Sequence, residues 1–178
     1  GFNKTWGEFT WNPTLTYSMN RNKIVKLFDD PDRVLSMGGL PGCEIILKKG
    51  GTMGDVYTTT DFLRDADGNI AVNDGKVAQR TLDNPTYRGS VLPKGNLGFS
   101  NEFSYKGFNL GFLISARFGG IVMSQTQAIM DAYGVSKSSA EVRDNGGVAV
   151  NRGIVSAENY YSVVGGENPI WSEYIYSA

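Results

Sequence analysis

Apolar and polar residues alternate with period two in three stretches of the chain. From Phe9 the odd positions read Phe9, Trp11, Pro13, Leu15, Tyr17 and Met19, and the even positions read Thr10, Asn12, Thr14, Thr16, Ser18 and Asn20. This pattern predicts a strand with one apolar and one polar face. Pro13 has no N–H to give a ladder, so a sheet edge or local bulge is expected there. Further along, Leu97, Phe99, Phe103 and Tyr105 share one face and Gly98, Ser100, Glu102 and Ser104 the other, with Asn101 interrupting the apolar set. After Lys106-Gly107 the phase changes, and Phe108, Leu110, Phe112, Ile114, Ala116 and Phe118 become the apolar positions.

Two central residues ending in glycine suit a tight hairpin turn. With Lys106-Gly107 as that turn, Tyr105 faces Phe108, Ser104 faces Asn109, Phe103 faces Leu110, Phe99 faces Ile114 and Leu97 faces Ala116. Apolar then meets apolar on one face, and Asn101 and Leu113 are the misfits. Phe108 to Phe118 makes about ten steps of about 3.3 Å, or roughly 25 Å along a membrane normal at a tilt near 40°. Phenylalanines begin and end this apolar face and Tyr105 adjoins it, as aromatic girdles at two interfaces require.

The fold expected is therefore all-β, an antiparallel transmembrane β-barrel fragment of about four strands from a larger barrel. Strands are placed at about 4–20, 97–105, 108–119 and 170–178, with long loops over about 21–96 and 120–169. A short turn on one side and long excursions on the other is the habit of such barrels. A soluble sandwich gives the same alternation, but with strands of about five or six residues and an outer face richer in charge. Within the loops, Asp61 to Val72 reads as a small hairpin turned by Asp67-Gly68-Asn69. Ser124 is placed to cap a helix from Gln125 to Tyr133 stopped by Gly134, Ser138 with Glu141 fits a capping box, and Ser156 precedes a helical stretch through Tyr161.

Composition narrows function. The net charge of −1 is scattered, with no basic stripe for phosphates, so nucleic acid is not an expected partner. No histidine is present and Cys43 is single, which removes histidine triads, histidine metal sites and an internal disulfide. No apolar run approaches the length of a membrane-spanning helix, which says nothing against spanning strands.

Candidate chemistry is sparse. Asp65, Asp67, Gly68, Ile70 and Asp74 match part of a calcium loop, but Leu63 stands at the first ligand position, so the hairpin-turn reading is preferred and no metal is assigned. The pairs Gly38-Gly39, Gly50-Gly51, Gly119-Gly120, Gly146-Gly147 and Gly165-Gly166 lack the lysine and hydroxyl of a phosphate loop. Tyr160, Tyr161, Trp171, Tyr174 and Tyr176 would stack on sugar rings if exposed, although aromatics beside a strand more often pack. Glu141 with Asp144, or Glu167 with Glu173, has the composition of a glycosidase pair, but sequence does not give its spacing. No catalytic, cofactor-binding or metal-ligating residue is assigned, no cofactor is expected, and the chain is not read as an enzyme.

Several segments together resemble the SusC/RagA family of TonB-dependent outer-membrane receptors. They are Leu92-Pro93, the run from Leu97 through Tyr105-Lys106-Gly107-Phe108 to Leu110, Arg117-Phe118-Gly119-Gly120, Arg143-Asp144-Asn145-Gly146-Gly147, Glu158-Asn159-Tyr160-Tyr161, and the loop from Phe62 to Val72. Lys94 departs from the small or acidic residue expected in its loop. The resemblance implies a piece of the C-terminal region of a barrel of about twenty-two strands, without the signal peptide, plug, TonB box or closing strand of the whole receptor. It implies bacterial outer-membrane import of oligosaccharides or peptides, energised by the TonB complex through parts outside this stretch and served by a SusD-like surface lipoprotein. Ligand-contacting residues are not carried over by the resemblance. The alternative reading is a soluble all-β glycan-binding or adhesive module.

Overall fold

The computed structural model describes residues 1–151 and 153–178. In chain order the elements are β1 (Lys4–Trp6), β2 (Phe9–Ser18), β3 (Leu35–Leu40), β4 (Cys43–Leu47), β5 (Asp55–Phe62), β6 (Val72–Asn73), β7 (Lys76–Val77), β8 (Gln79–Ser90), β9 (Gly95–Tyr105) and β10 (Phe108–Phe118). There follow β11 (Ile121–Met123), α1 (Gln125–Ala132), α2 (Lys137–Asp144), β12 (Val148–Val150), β13 (Gly153–Val155), α3 (Ala157–Val164), a 3-10 turn (Trp171–Glu173) and β14 (Ile175–Ser177). They divide into two units, one of residues 1–22, 92–120 and 178 and the other of residues 23–91 and 121–177.

The first unit is an open antiparallel sheet in the order β1-β2-β9-β10. The β9–β10 register runs unbroken from Tyr105↔Phe108 to Gly95↔Phe118, with Phe103 opposite Leu110 and Ser104 opposite Asn109. Lys106 and Gly107 have φ of 48° and 86°, the two left-handed residues of the turn type that matches strand twist. On the other side of β9, β2 pairs from Phe9↔Tyr105 to Ser18↔Asn96. The alternation therefore lines up in rows across three strands: Trp11, Phe103 and Leu110 on one face, and Asn12, Glu102 and Gly111 on the other.

Three expectations are corrected in this sheet. The strand placed over 4–20 is a hairpin, because the chain turns at Gly7, φ 61°, and brings Trp6 opposite Phe9. Pro13 causes no bulge, since β2 keeps one register through the Pro13↔Asn101 pair. Its carbonyl accepts from the N–H of Phe2 at 3.0 Å, so its nitrogen points to that same side, away from β9, and no ladder bond to β9 is lost. The strand placed over 170–178 is also absent from this sheet. Trp171–Glu173 forms a 3-10 turn and β14 pairs with β11, Ile121 opposite Ser177.

The second unit occupies most of what the alternation marked as loops. Its main sheet has the order β3-β4-β5-β8. It escapes a period-two reading because its registers shift, between Ser36 and Gly39 on β3 and twice along β5 against β8, and each shift moves side chains to the opposite face. Gly39 is required where β3 crosses β4, since a Cβ there would lie 2.2 Å from the Cys43 carbonyl oxygen. The hydrophobic core lies in this unit and gathers Cys43, Val56, Phe62, Val77, Ala128, Val164, Ile170 and Trp171. Trp171 is fully buried and donates its indole N–H to the Pro41 carbonyl at 2.8 Å. The expected hairpin within Asp61–Val72 appears as a bridge between Arg64 and Ile70 around the Asp65–Asn69 turn.

Helix α1 starts as read, with the Ser124 side chain accepting from the N–H of Gln127, and ends before Gly134, φ 69°. Helix α3 is capped by Ser156 and runs on to Val164. The capping box of Ser138 with Glu141 is corrected: the cap of α2 is Ser136, whose oxygen accepts from the N–H of Ser139. Ser138 instead donates its hydroxyl to Asp131 at 2.9 Å.

Candidate functional site

The two faces of the β1-β2-β9-β10 sheet differ in chemistry, and both are open. On the apolar face Phe108 is 82% exposed, Leu110 63%, Leu15 64% and Ile114 56%, although the core of the second unit shows that this chain can bury such residues. Trp11, Phe103 and Phe112 stack across the strands at centroid distances of 6.2 and 6.0 Å. Asn101, the one polar side chain in the middle of that face, is buried beneath them and accepts the Trp11 indole N–H at 3.0 Å.

The polar face carries a hollow of about 340 Å³ bordered by Asn3, Thr10, Asn12, Glu102, Ser104 and Asn109. Asn12 donates to the Glu102 carboxylate at 3.4 Å. Hydroxyls, amides and one carboxylate can donate to and accept from a polar ligand on this face. At one end of the sheet Lys106 reaches Glu8 at 3.2 Å, joining the two tight turns. At the other end lie Ser18, Gly95 and Phe118, so both long chain excursions leave from that end.

The second unit places the remaining sequence candidates. Around Asp65 the carboxylate accepts the N–H groups of Asp67 and Asn69 and the Asn69 side-chain amide. These bonds, the Asn69 N–H foremost, hold its pKa below the ordinary 3.8, and they make the segment a turn closed on itself. No group of three or more potential metal ligands is found among the described residues. Glu141 and Asp144 are exposed and engage Lys137 and Arg143.

Of the five aromatics named as stacking candidates, Trp171 and Tyr174 are core residues. Tyr160 packs against Phe62 at 6.4 Å and meets Tyr161 edge to face at 5.3 Å. Tyr160, Tyr161, Tyr174 and Tyr176 nevertheless border one hollow of about 280 Å³, with Gln127, Asp131 and Glu173. Burial first, then the Glu173 carboxylate, pushes the Tyr160 hydroxyl up to about 12. Burial and the neighbouring Asp131 raise Tyr174 as well. Sequence reasoning named the tyrosines but not Asp131, whose position depends on the turn between α1 and α2.

No family model matches the chain. It is 27% identical over 172 residues to TonB-dependent receptor P3 of Formosa agariphila, a match that covers 79% of this chain and 16% of that protein. The chain thus spans about a sixth of the relative's length. With a mostly antiparallel β structure beneath it, this similarity supports a relationship to the TonB-dependent receptors.

Proposed function

We propose that the chain is part of an outer-membrane TonB-dependent importer, probing the cell surface with its long excursions and forming part of the barrel wall with its β1-β2-β9-β10 sheet. The observation that carries this reading is the β9–β10 hairpin: eleven paired residues per strand with an apolar face left open. A water-soluble protein does not keep such a face uncovered, whereas lipid covers it in a barrel wall. Among the described residues the outer edge of β10 is unpaired, and continued strand pairing around a barrel would satisfy it. The polar face, with its hydroxyls and amides, then lines the lumen.

The resemblance to SusC/RagA receptors extends this reading to oligosaccharide or peptide cargo, a SusD-like lipoprotein over the surface loops and transport without covalent chemistry. The relative at 27% identity supports the receptor class and leaves cargo and lipoprotein as part of the proposal. A soluble module would need the apolar face packed against a second layer, and the described residues form no such layer within this unit.

The test is extraction and gel migration of the protein carrying this chain, expressed in a Gram-negative host. It is expected to remain in the outer-membrane fraction through salt and carbonate washes, and to migrate faster in unheated than in heated detergent samples. Release by buffer alone would overturn the importer reading in favour of the soluble module.

A further inference from the structure

Asp131 lies in the last turn of α1, is 4% exposed and makes no ion pair among the described residues. Its carboxylate is held by neutral donors: the hydroxyls of Ser136 and Ser138 and the side-chain amide of Gln127. A buried charge is costly unless paired, and a helix C-terminus is already the negative end of the helix dipole, so this position favours a cation. The last turn of α1 supplies no basic residue.

The hollow beside it continues the same polarity. Glu173 stands exposed at its border, Tyr161 and Tyr176 present partly exposed rings, and among the described residues no lysine or arginine lines it. Arg143 borders the neighbouring hollow, which Asp131, Tyr161 and Glu158 also line, and its guanidinium lies 3.4 Å from Asp144. Aromatic faces carry the negative part of the ring quadrupole and attract ammonium and guanidinium groups. Anionic cargo is disfavoured by both carboxylates, and a neutral sugar gains no charge pairing with Glu173 or Asp131.

We propose that the hollow between Asp131, Glu173 and the tyrosine pair Tyr161 and Tyr176 is a binding site for the cationic side chain of a lysine- or arginine-bearing peptide. The ammonium or guanidinium enters between the rings, faces Glu173 and approaches Asp131, while the aliphatic stem lies along Val142 and Val148. The inference gives the importer reading a cargo class, peptide rather than glycan, but the binding itself requires no membrane.

The experiment is calorimetric titration of the protein carrying this whole chain, in nonionic detergent, with the blocked pentapeptide Ala-Ala-Lys-Ala-Ala. Controls are the same peptide with norleucine for lysine, and maltotetraose. The lysine peptide is expected to bind, the norleucine peptide to bind at least about tenfold more weakly, and Glu173→Gln, an exposed substitution, to weaken the lysine peptide about fivefold or more. Tyr161→Leu is expected to weaken it too, with an unchanged circular dichroism spectrum. Equal binding of lysine and norleucine peptides, indifference to Glu173→Gln, binding of maltotetraose alone, or no heat up to roughly 10 mM peptide would each overturn the site. A protein that stays in the membrane and ignores lysine peptides would refute this inference while leaving the importer reading standing.

Discussion

The indole N–H of Trp11 donates to the side-chain oxygen of Asn101 at 3.0 Å, from one strand to the next on the apolar face of the sheet. Asn101 sits opposite Pro13 on β2 and Phe112 on β10, so the polar side chain in the centre of that face is answered by the tryptophan beside it. Its amide nitrogen has no partner among the described residues. The bond matters more in lipid than in water, because no solvent replaces it.

From this pair follows a double-mutant test. Trp11→Phe leaves the Asn101 oxygen unpaired and is expected to destabilise the protein by about 1–3 kcal/mol. Asn101→Leu removes the polar group from an apolar face, so adding it to Trp11→Phe should recover most of that loss. Urea unfolding in lipid vesicles, followed by fluorescence, measures both. Additive losses in the double variant would mean that the two side chains do not answer each other.

The Lys106-Gly107 turn gives a second expectation. Gly107 has φ 86°, and the space where a Cβ would stand is open, so the penalty for a side chain there is conformational rather than steric contact. Gly107→Val is expected to cost about 1–2 kcal/mol and to slow assembly of the hairpin. Lys106→Asn, with a residue that tolerates positive φ, should fold at least as well, with loss of the exposed contact to Glu8. Refolding kinetics into detergent micelles distinguishes the two variants, and equal rates would show that the turn does not set the register.

Topology is open to labelling on whole cells. Because Ser18, Gly95 and Phe118 share one end of the sheet and the tight turns share the other, cysteines at Asp67 and at Lys106 should differ. A membrane-impermeant maleimide is expected to label Asp67→Cys on intact cells and Lys106→Cys only after the outer membrane is permeabilised. Native Cys43 contributes little background, since it is 2% exposed and burial pushes its thiol up to about 11. The reverse pattern would invert the assignment of the long excursions to the outside.

The Asp65 turn carries a pH dependence. Its carboxylate titrates below the ordinary value of 3.8 because the Asn69 and Asp67 N–H groups bond the charged form. The turn is therefore stabilised above that ordinary value, and the stabilisation fades as pH falls through the lowered folded-state value. Amide exchange at Asp67 and Asn69 should be protected near neutrality and lose protection in acid. Asp65→Ala should remove the protection at every pH, and a protection factor that does not change with pH in the wild type would refute the role given to the carboxylate.

What the sequence determined by itself is the local part of this protein. The alternation from Leu97 to Phe118 fixes which side chains share a face, and Lys106-Gly107 fixes where the phase changes, so the β9–β10 register follows from neighbours in the chain. The same holds for Ser124 and Ser156, whose caps are satisfied by N–H groups three residues on. Tertiary structure decided the rest. The cap of α2, Ser136 and not Ser138, sits in a tertiary cluster in which the hydroxyls of both serines donate to Asp131 of the preceding helix. Trp171 reads as a strand residue in isolation, yet its indole finds the Pro41 carbonyl 130 residues away and draws the segment into the core. The β3-β4-β5-β8 sheet left no periodic trace because its bulges break the two-residue repeat. Such features depend on which distant segment arrives alongside, and burial and long-range hydrogen bonds select that only once the chain is folded.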